Sequence, residues 1–323
     1  MILSQDTSTE NKFKVLRAGF ELARRRLMDF SFMTDPSYQY SRHLEFLAET
    51  LEKVERGEIK KLMIFAPPRH GKSQLVSCNF IAWCLGRNPD RRFIHASYAA
   101  DLSNDWSRKT RDIVEDEIYR AIFGISTDKD VRSVSNWRMN KKRGGMLSLG
   151  VGGSATGHGA DFFIIDDPYR NHQEAESEAR RSFVDDWYRS VARTRLEPNA
   201  SMILTLARWH QKDLAGSILK DDPDWVVINL PAFAEEDDLI GRAVGEPLWS
   251  ERIKADDLTD LKKIGSRFWN ALYCGRPVDP EGAIVKRHWI QYYESLPPKV
   301  SRYGGIDTAT SKKTSADNMA LVE

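Results

Sequence analysis

The sequence predicts an α/β fold built on a central, mostly parallel sheet covered on both faces. Two observations predict it. Short β-rich runs alternate with helix-patterned stretches from Lys61 to Leu230, the order that parallel strands joined by crossover helices require. The run Asp161–Ile165 (DFFII) also has no polar alternation after its first residue, as a central strand buried on both faces has none.

Each element has its own signal. Residues 1–57 read as a helical segment: Phe13–Phe20 and His43–Val54 carry apolar side chains at helical spacing, and Gly57 ends the second run. The core is expected over residues 58–210. The strand candidates along the chain are Lys61–Phe65, Arg92–Ser97, Asp161–Ile165, Ser201–Leu206 and Trp225–Leu230, and the helix candidates begin at Lys72, Ala100 and Glu174. From 211 to 275 the pattern turns polar and mostly helical, which predicts a small lid subdomain. Residues 276–300, with prolines at 277, 280, 297 and 298, read as a linker. Residues 301–323 read as a strand, a turn and a second strand.

Composition narrows the class. A chain of 323 residues with 41% hydrophobic and 29% charged residues is ordinary for a globular protein. Its net charge of +1 creates no whole-molecule attraction to nucleic acid, so any such binding must come from local basic patches. Cys78, Cys84 and Cys274 have neither zinc nor disulfide spacing and read as buried thiols. No apolar run approaches the ~18 residues of a membrane span, and the first 30 residues lack a signal-peptide pattern. The expectation is a cytosolic protein.

The stretch Ala66-Pro67-Pro68-Arg69-His70-Gly71-Lys72-Ser73 matches the phosphate-binding pattern G-x-x-x-x-G-K-[ST], except that alanine stands at the first glycine. It follows a strand candidate and precedes Leu75, Val76, Phe80, Ile81 and Cys84 at helical spacing. Backbone N–H groups at a helix start can cradle phosphates, with Lys72 on the outer phosphates and the Ser73 hydroxyl on magnesium. Its partner should be a carboxylate ending a buried strand, and Phe162–Pro168 (FFIIDDP) supplies Asp166 for the metal and Asp167 to activate water. The bland alternative, two carboxylates capping a helix, does not explain both motifs in this order. A third stretch, Ile203–Gly216, is a strand ending in small and hydroxyl residues followed by Arg208 and His210.

Together APPRHGKS, GSATGHGADFFIIDDPYRN (Gly153–Asn171), LTLARWHQKDLAG and YGGIDTA (Tyr303–Ala309) resemble the large terminase subunit of tailed bacteriophages. The resemblance covers almost the whole chain. It implies a P-loop (ASCE-type) ATPase using ATP and Mg2+ to drive double-stranded DNA into a procapsid. Its partners would be the portal protein, the small terminase subunit and further copies in a ring, the isolated chain being monomeric. The setting would be the cytoplasm of an infected or lysogenic bacterium. Carried onto this sequence, the nucleotide loop comprises Pro68 to Gln74, with Arg69 and Lys72 also catalytic. Thr205, Leu206 and Ala207 match the coupling motif, and Tyr38, Gln39, Tyr40 and His43 are the adenine candidates.

Three departures stand out. Asp167 takes a place where many relatives have glutamate. Ala155–His158 stands where some relatives carry an arginine serving a neighbouring subunit, leaving Arg143, Arg193, Arg195 and Arg208 as candidates. Arg208 is counted with Asp167, Arg69 and Lys72 among the catalytic groups and is expected to act within its own chain. Family members continue into a ribonuclease H-like nuclease, whereas this sequence holds Asp307 and Asp317 before ending at Glu323; an incomplete nuclease site without endonuclease activity is expected.

For DNA, Trp137–Gly145 (WRMNKKRGG) is the densest basic stretch with an aromatic, readable equally as a solvated hairpin. Arg24–Arg26 reads as a run facing solvent or another subunit. His70, His158 and His210 read as supporting residues. Trp187, Tyr188, Trp225, Trp249, Phe268, Trp269 and Tyr273 read as core. A superfamily 2 helicase would need a second ATPase-like domain after Pro277. A nucleotide-binding scaffold is the other alternative.

Overall fold

The computed structural model describes residues 4–278, 305–307 and 320–322. The chain forms two compact units, 1–280 and 281–323.

Eight strands form one sheet in the first unit: β1 (Lys61–Phe65), β2 (Arg92–Ser97), β3 (Thr127–Arg132), β4 (Asn136–Met139), β5 (Gly145–Gly150), β6 (Ala160–Asp166), β7 (Leu196–Thr205) and β8 (Val226–Asn229). Their order is β3-β4-β5-β2-β6-β7-β1-β8. The six strands from β5 to β8 are parallel, and β3 and β4 extend the sheet antiparallel. β6 lies in the interior between β2 and β7, and six of its seven residues are buried. Its unbroken apolar run therefore has core on both sides.

The two faces carry separate cores. On one, α1 (Ser4–Arg25), α2 (Leu27–Thr34) and α3 (Arg42–Glu55) pack with the rod formed by α4 (Lys72–Gln74), a π turn (Leu75–Asn79) and α5 (Phe80–Arg87). Leu44, Leu47, Ala48 and Leu51 fall on one stripe of α3 and are all buried. Trp83 Nε1 donates to the Ala23 carbonyl at 3.0 Å. The N-terminal helices thus share the main core rather than forming a layer of their own. On this face lie also α6 (Ala100–Glu115) and α7 (Glu117–Phe123), the latter through Tyr119 and Ile122. The other face is covered by α8 (His172–Glu176), α9 (Glu178–Trp187) and α10 (Leu214–Asp221), through Ala175, Val184, Trp187, Leu214, Ala215 and Ile218.

The expected boundary at residue 211 does not hold. α10 packs on the second core, and β8 is hydrogen-bonded beside β1, register Leu62 to Val226. Only the later part is separate: Ala232, Leu258 and Trp269 form a small third cluster around α11 (Ala255–Leu261) and α12 (Ser266–Tyr273).

The basic stretch is a β-hairpin. Trp137 on β4 is fully buried and donates to Ser107 Oγ at 2.9 Å, so it is not a surface platform for bases. Arg138, Lys141, Lys142 and Arg143 around the turn are exposed. Gly145 is obligatory at its end, because a Cβ there would stand 2.1 Å from the Trp137 carbonyl oxygen.

Cys78 and Cys84 are buried, Cys274 half-buried, and all three are free. Among the described residues no helix is long and apolar enough to cross a membrane. In the second unit β9 (Gly305–Asp307) pairs antiparallel with β10 (Ala320–Val322), Asp307 opposite Ala320. Asp317 and linker residues 279–300 lie outside the described residues.

Candidate nucleotide site

β6, β7 and β1 are neighbours, and their C-terminal ends meet at one place on the sheet edge, where open parallel sheets bind ligands. β1 runs into the Ala66–Ser73 loop, β6 ends at Asp166 and β7 ends at Thr205.

The loop turns through two left-handed residues, Arg69 (φ 62°) and Gly71 (φ 80°). Gly71 also packs closely on α3, since a Cβ there would lie 3.0 Å from Leu44. Ala66 is not among the positive-φ residues, so alanine stands at the first pattern position without backbone strain. Beneath the loop, His70 Nδ1 donates to the Pro68 carbonyl at 2.8 Å, and the His70 carbonyl accepts from His43 Nε2 at 2.8 Å. His43 Nδ1 takes the Ser41 hydroxyl. Burial holds His43 down to about 4 and also lowers His70, so both rings are neutral struts at pH 7.

Asp166 is buried and surrounded by hydroxyls. Ser77 Oγ donates to its Oδ2 at 2.9 Å, Ser73 Oγ to its Oδ1 at 3.3 Å, and Thr205 Oγ1 to the same Oδ1. Ser77 lies in the π turn, whose wider pitch is a recurrent feature of functional helices. Gln74 Nε2 bridges that turn to Asn79 Oδ1 at 2.8 Å, and Asn79 Nδ2 reaches Ser31 Oγ on α2 at 2.9 Å. Asp166 has no ion pair among the described residues. A buried carboxylate with serine and threonine hydroxyls, and no cation, is a set of hard oxygen donors that fits magnesium.

Asp167 follows in the left-handed region (φ 50°), a conformation aspartate adopts more readily than most residues. Its N–H donates to the Thr205 carbonyl at 2.8 Å, and its carbonyl accepts from Tyr98 N at 2.9 Å. The Ala207 N–H donates to its Oδ1 at 3.1 Å. Burial pushes this carboxyl above the usual carboxylate range, with help from the Asp166 charge; Lys72 and the Ala207 N–H pull the other way.

Two clefts open here. The first, about 510 Å³, is lined by Ala66 to Gln74 with Trp106, Asp167, Ala207 and Arg252. The second, about 560 Å³, is lined by Tyr38, Gln39, Leu44, Trp249, Glu251 and neighbours. Gly71, Gln74 and Arg252 belong to both.

Most sequence candidates meet at this edge: Pro68 to Gln74, Asp166, Asp167, Thr205 and Ala207. Leu206 is buried in the second core. Tyr38 and Gln39 line the second cleft, whereas two adenine candidates do not. Tyr40 is exposed and bonded to Glu45, and His43 is sealed beneath the loop. Arg208 also lies outside both clefts. Its guanidinium is held by buried Asp213 at 2.9 Å, 4.9 Å above the Phe65 ring, and Asp213 caps α10 by accepting from Gly216 N. Asp307 belongs to the second unit. Sequence reasoning missed Trp106, Glu251 and Arg252, for which no local motif gives a signal.

The family model described as terminase large subunit, T4likevirus-type, N-terminal, matches residues 63–292. No curated protein matches. Among solved structures, the large terminase of bacteriophage HK97 is 12% identical with a TM-score of 0.49, covering 74% of this chain and 51% of that one. The large terminase of the thermophilic bacteriophage D6E, in complex with ADP, is 11% identical with a TM-score of 0.39, covering 70% and 52%. This chain therefore spans about half the length of the solved chains it matches. Since the family model covers well over half of its residues, the chain belongs to the phage large terminase subunit family.

Proposed function

We propose that the chain is the ATP-hydrolysing motor of a phage large terminase subunit, which uses ATP and Mg2+ to move double-stranded DNA into a procapsid. One observation carries this reading: Lys72 and Ser73 share a sheet edge with two successive carboxylates, and both carboxylates are hydrogen-bonded to the Thr205–Ala207 segment.

The loop N–H groups and Lys72 bind the β- and γ-phosphates. Ser73 and Asp166 would hold magnesium, which when bound neutralises charge on the phosphate oxygens. Asp167, raised above the ordinary carboxylate range, orients the attacking water and takes its proton. Arg69, exposed at the loop apex, stabilises charge on the transferring phosphoryl oxygens. Departure of the γ-phosphate changes what Asp167 faces, and its bond to Ala207 N passes that change to the segment beyond β7. Arg138, Lys141, Lys142 and Arg143 would contact DNA phosphates without reading sequence. Portal, small subunit and neighbouring copies complete the proposed motor.

Steady-state ATP hydrolysis by wild type, Lys72→Ala and Asp167→Asn, with and without linear duplex DNA, tests the reading. Each folded variant is expected to lose about a hundredfold or more. Wild-type rates should fall with acid as Asp167 protonates, beginning at a higher pH than an ordinary aspartate. An Asp167→Asn variant that keeps its rate refutes the base assignment. A wild type that binds ATP yet never hydrolyses it, even with portal present, points to a scaffold.

A further inference from the structure

We propose that Arg252 is a nucleotide-binding residue that holds the α-phosphate and sugar at the junction of the two clefts; the inference rests on the nucleotide reading above. Among the described residues three line both clefts, and two of them, Gly71 and Gln74, belong to the phosphate loop and the helix it opens. A nucleotide with its outer phosphates along Ala66–Ser73 and its base beside Tyr38 and Gln39 must cross that junction with its α-phosphate and sugar. Arg252 is the third shared residue. Asp167 and Ala207, at the catalytic end, line the first cleft alone.

The side chain is ready for an anion. Its guanidinium lies 5.0 Å from the Trp249 ring centroid, and Trp249 is buried in an edge-to-face contact with His43, ring centroids 5.3 Å apart. Among the described residues the guanidinium has no carboxylate or carbonyl partner, unlike Arg242 in the same segment, which is locked to Asp238 at 2.7 Å. Its charge reaches the loop, being one of the groups that disfavour a second positive charge on His70. An aromatic backing, an unused five-donor fork and a place beside Gly71 suit a phosphate oxygen and a ribose hydroxyl.

ADP and ATP share the α-phosphate and sugar, so Arg252 should serve binding of both and not the chemical step. Arg252 is exposed, so replacing it should leave the fold intact. Calorimetric titration with ADP and with the non-hydrolysable analogue AMPPNP, both with Mg2+, is run on wild type, Arg252→Ala, Arg252→Lys and Lys72→Ala, alongside steady-state ATPase kinetics. Arg252→Ala is expected to weaken both ligands by about tenfold, the order of one charge-assisted hydrogen bond. KM should rise in parallel while kcat changes less than about threefold, and Arg252→Lys should restore part of the affinity. Unchanged affinities in Arg252→Ala, with Lys72→Ala defective, overturn the Arg252 role and leave the nucleotide site standing. Lost kcat with unchanged ADP affinity overturns it in favour of a γ-phosphate contact. A wild type that binds neither ligand overturns both readings.

Discussion

Thr205 offers a clean separation of catalytic support from packing. It is fully buried at the end of β7, and its hydroxyl is one of three donors to the Asp166 carboxylate. Thr205→Val keeps the β-branched shape and deletes that donor. A hydrogen bond to a charged group contributes about 1.5–3 kcal/mol. Ser73 and Ser77 remain in place, so about 2 kcal/mol is the expected loss of grip on the carboxylate, or roughly thirtyfold in kcat/KM. The Mg2+ concentration needed for half-maximal rate should rise as well, because a poorly oriented carboxylate is a poorer ligand. Thr205→Ser does the reverse: it keeps the hydroxyl and removes one buried methyl, costing about 1 kcal/mol of stability and little activity. Steady-state ATPase rates over a magnesium series, with thermal unfolding of both variants, read the two effects apart. If Thr205→Val stays within threefold of wild type, or Thr205→Ser is as slow as Thr205→Val, the hydroxyl does not position Asp166.

Other consequences follow from buried groups. Burial holds His43 and His95 down to about 4, against 6.5 for a free imidazole. The unfolded chain therefore gains protons below about pH 6.5 that the folded chain refuses, and stability is lost as pH falls from about 6.5 to 4, on the order of 3 kcal/mol per ring. Urea unfolding between pH 7 and 5 should show the loss, and His95→Gln should remove about 1.4 kcal/mol per pH unit from its slope; an unchanged slope counts against a buried neutral His95. Trp137→Ala should cost about 3–5 kcal/mol in unfolding free energy, whereas neutralising Lys141, Lys142 and Arg143 together should leave stability nearly unchanged and weaken duplex DNA binding in a filter or anisotropy assay. A stable Trp137→Ala variant that loses only DNA affinity would restore the surface reading of that tryptophan.

The elements legible in the sequence are those whose pattern is local. β1 and β2 fall on the residues their apolar runs mark, and helices begin at Lys72 and Ala100 as expected, because buried parallel strands and stripe-patterned helices write their burial into consecutive residues. β7 begins earlier than the sequence suggests, at Leu196, in a polar stretch with a left-handed turn at Asn199. β3 and β5 are not among the strand candidates, and β4 is marked only by the hairpin reading of Trp137–Gly145. All three are short and partly polar (TDKDVR, NWRM, GMLSLG), and they join the sheet through the long-range pairing of β5 with β2, with β4 beside β5 and β3 beside β4. Trp137 shows the same limit: a basic, aromatic run does not reveal which face of the hairpin is buried.

At the site, the residues of the loop and of the Asp166–Asp167 pair could be named because each motif is contiguous. What contiguity cannot give is the company they keep. His43 lies 27 residues from the loop it supports, and Arg252 lies nearly 180 residues beyond Gln74, so their places depend on how α3 and the Pro247–Arg252 segment pack. Ser77 is closer, yet it reaches Asp166 through a π turn that residue spacing alone does not announce.

The two carboxylates are addressed by different parts of the chain, and on the proposed reading this divides their work. Asp166 is gripped by hydroxyls of the nucleotide helix and of β7, all on regular elements, with Ser77 and Thr205 fully buried. It is built to stay still. Asp167 instead accepts from the first free N–H beyond Leu206, and the next residue, Arg208, is bound to Asp213 at the cap of α10. A shift in Asp167 would thus be felt at Ala207 and carried through a buried ion pair into a helix on the other face of the sheet. Such a pair transmits displacement because separating it leaves a charge uncompensated in the core. The arginine that sequence reasoning placed among the catalytic groups would then belong to the transmission, one bond removed from the chemistry and inside its own chain.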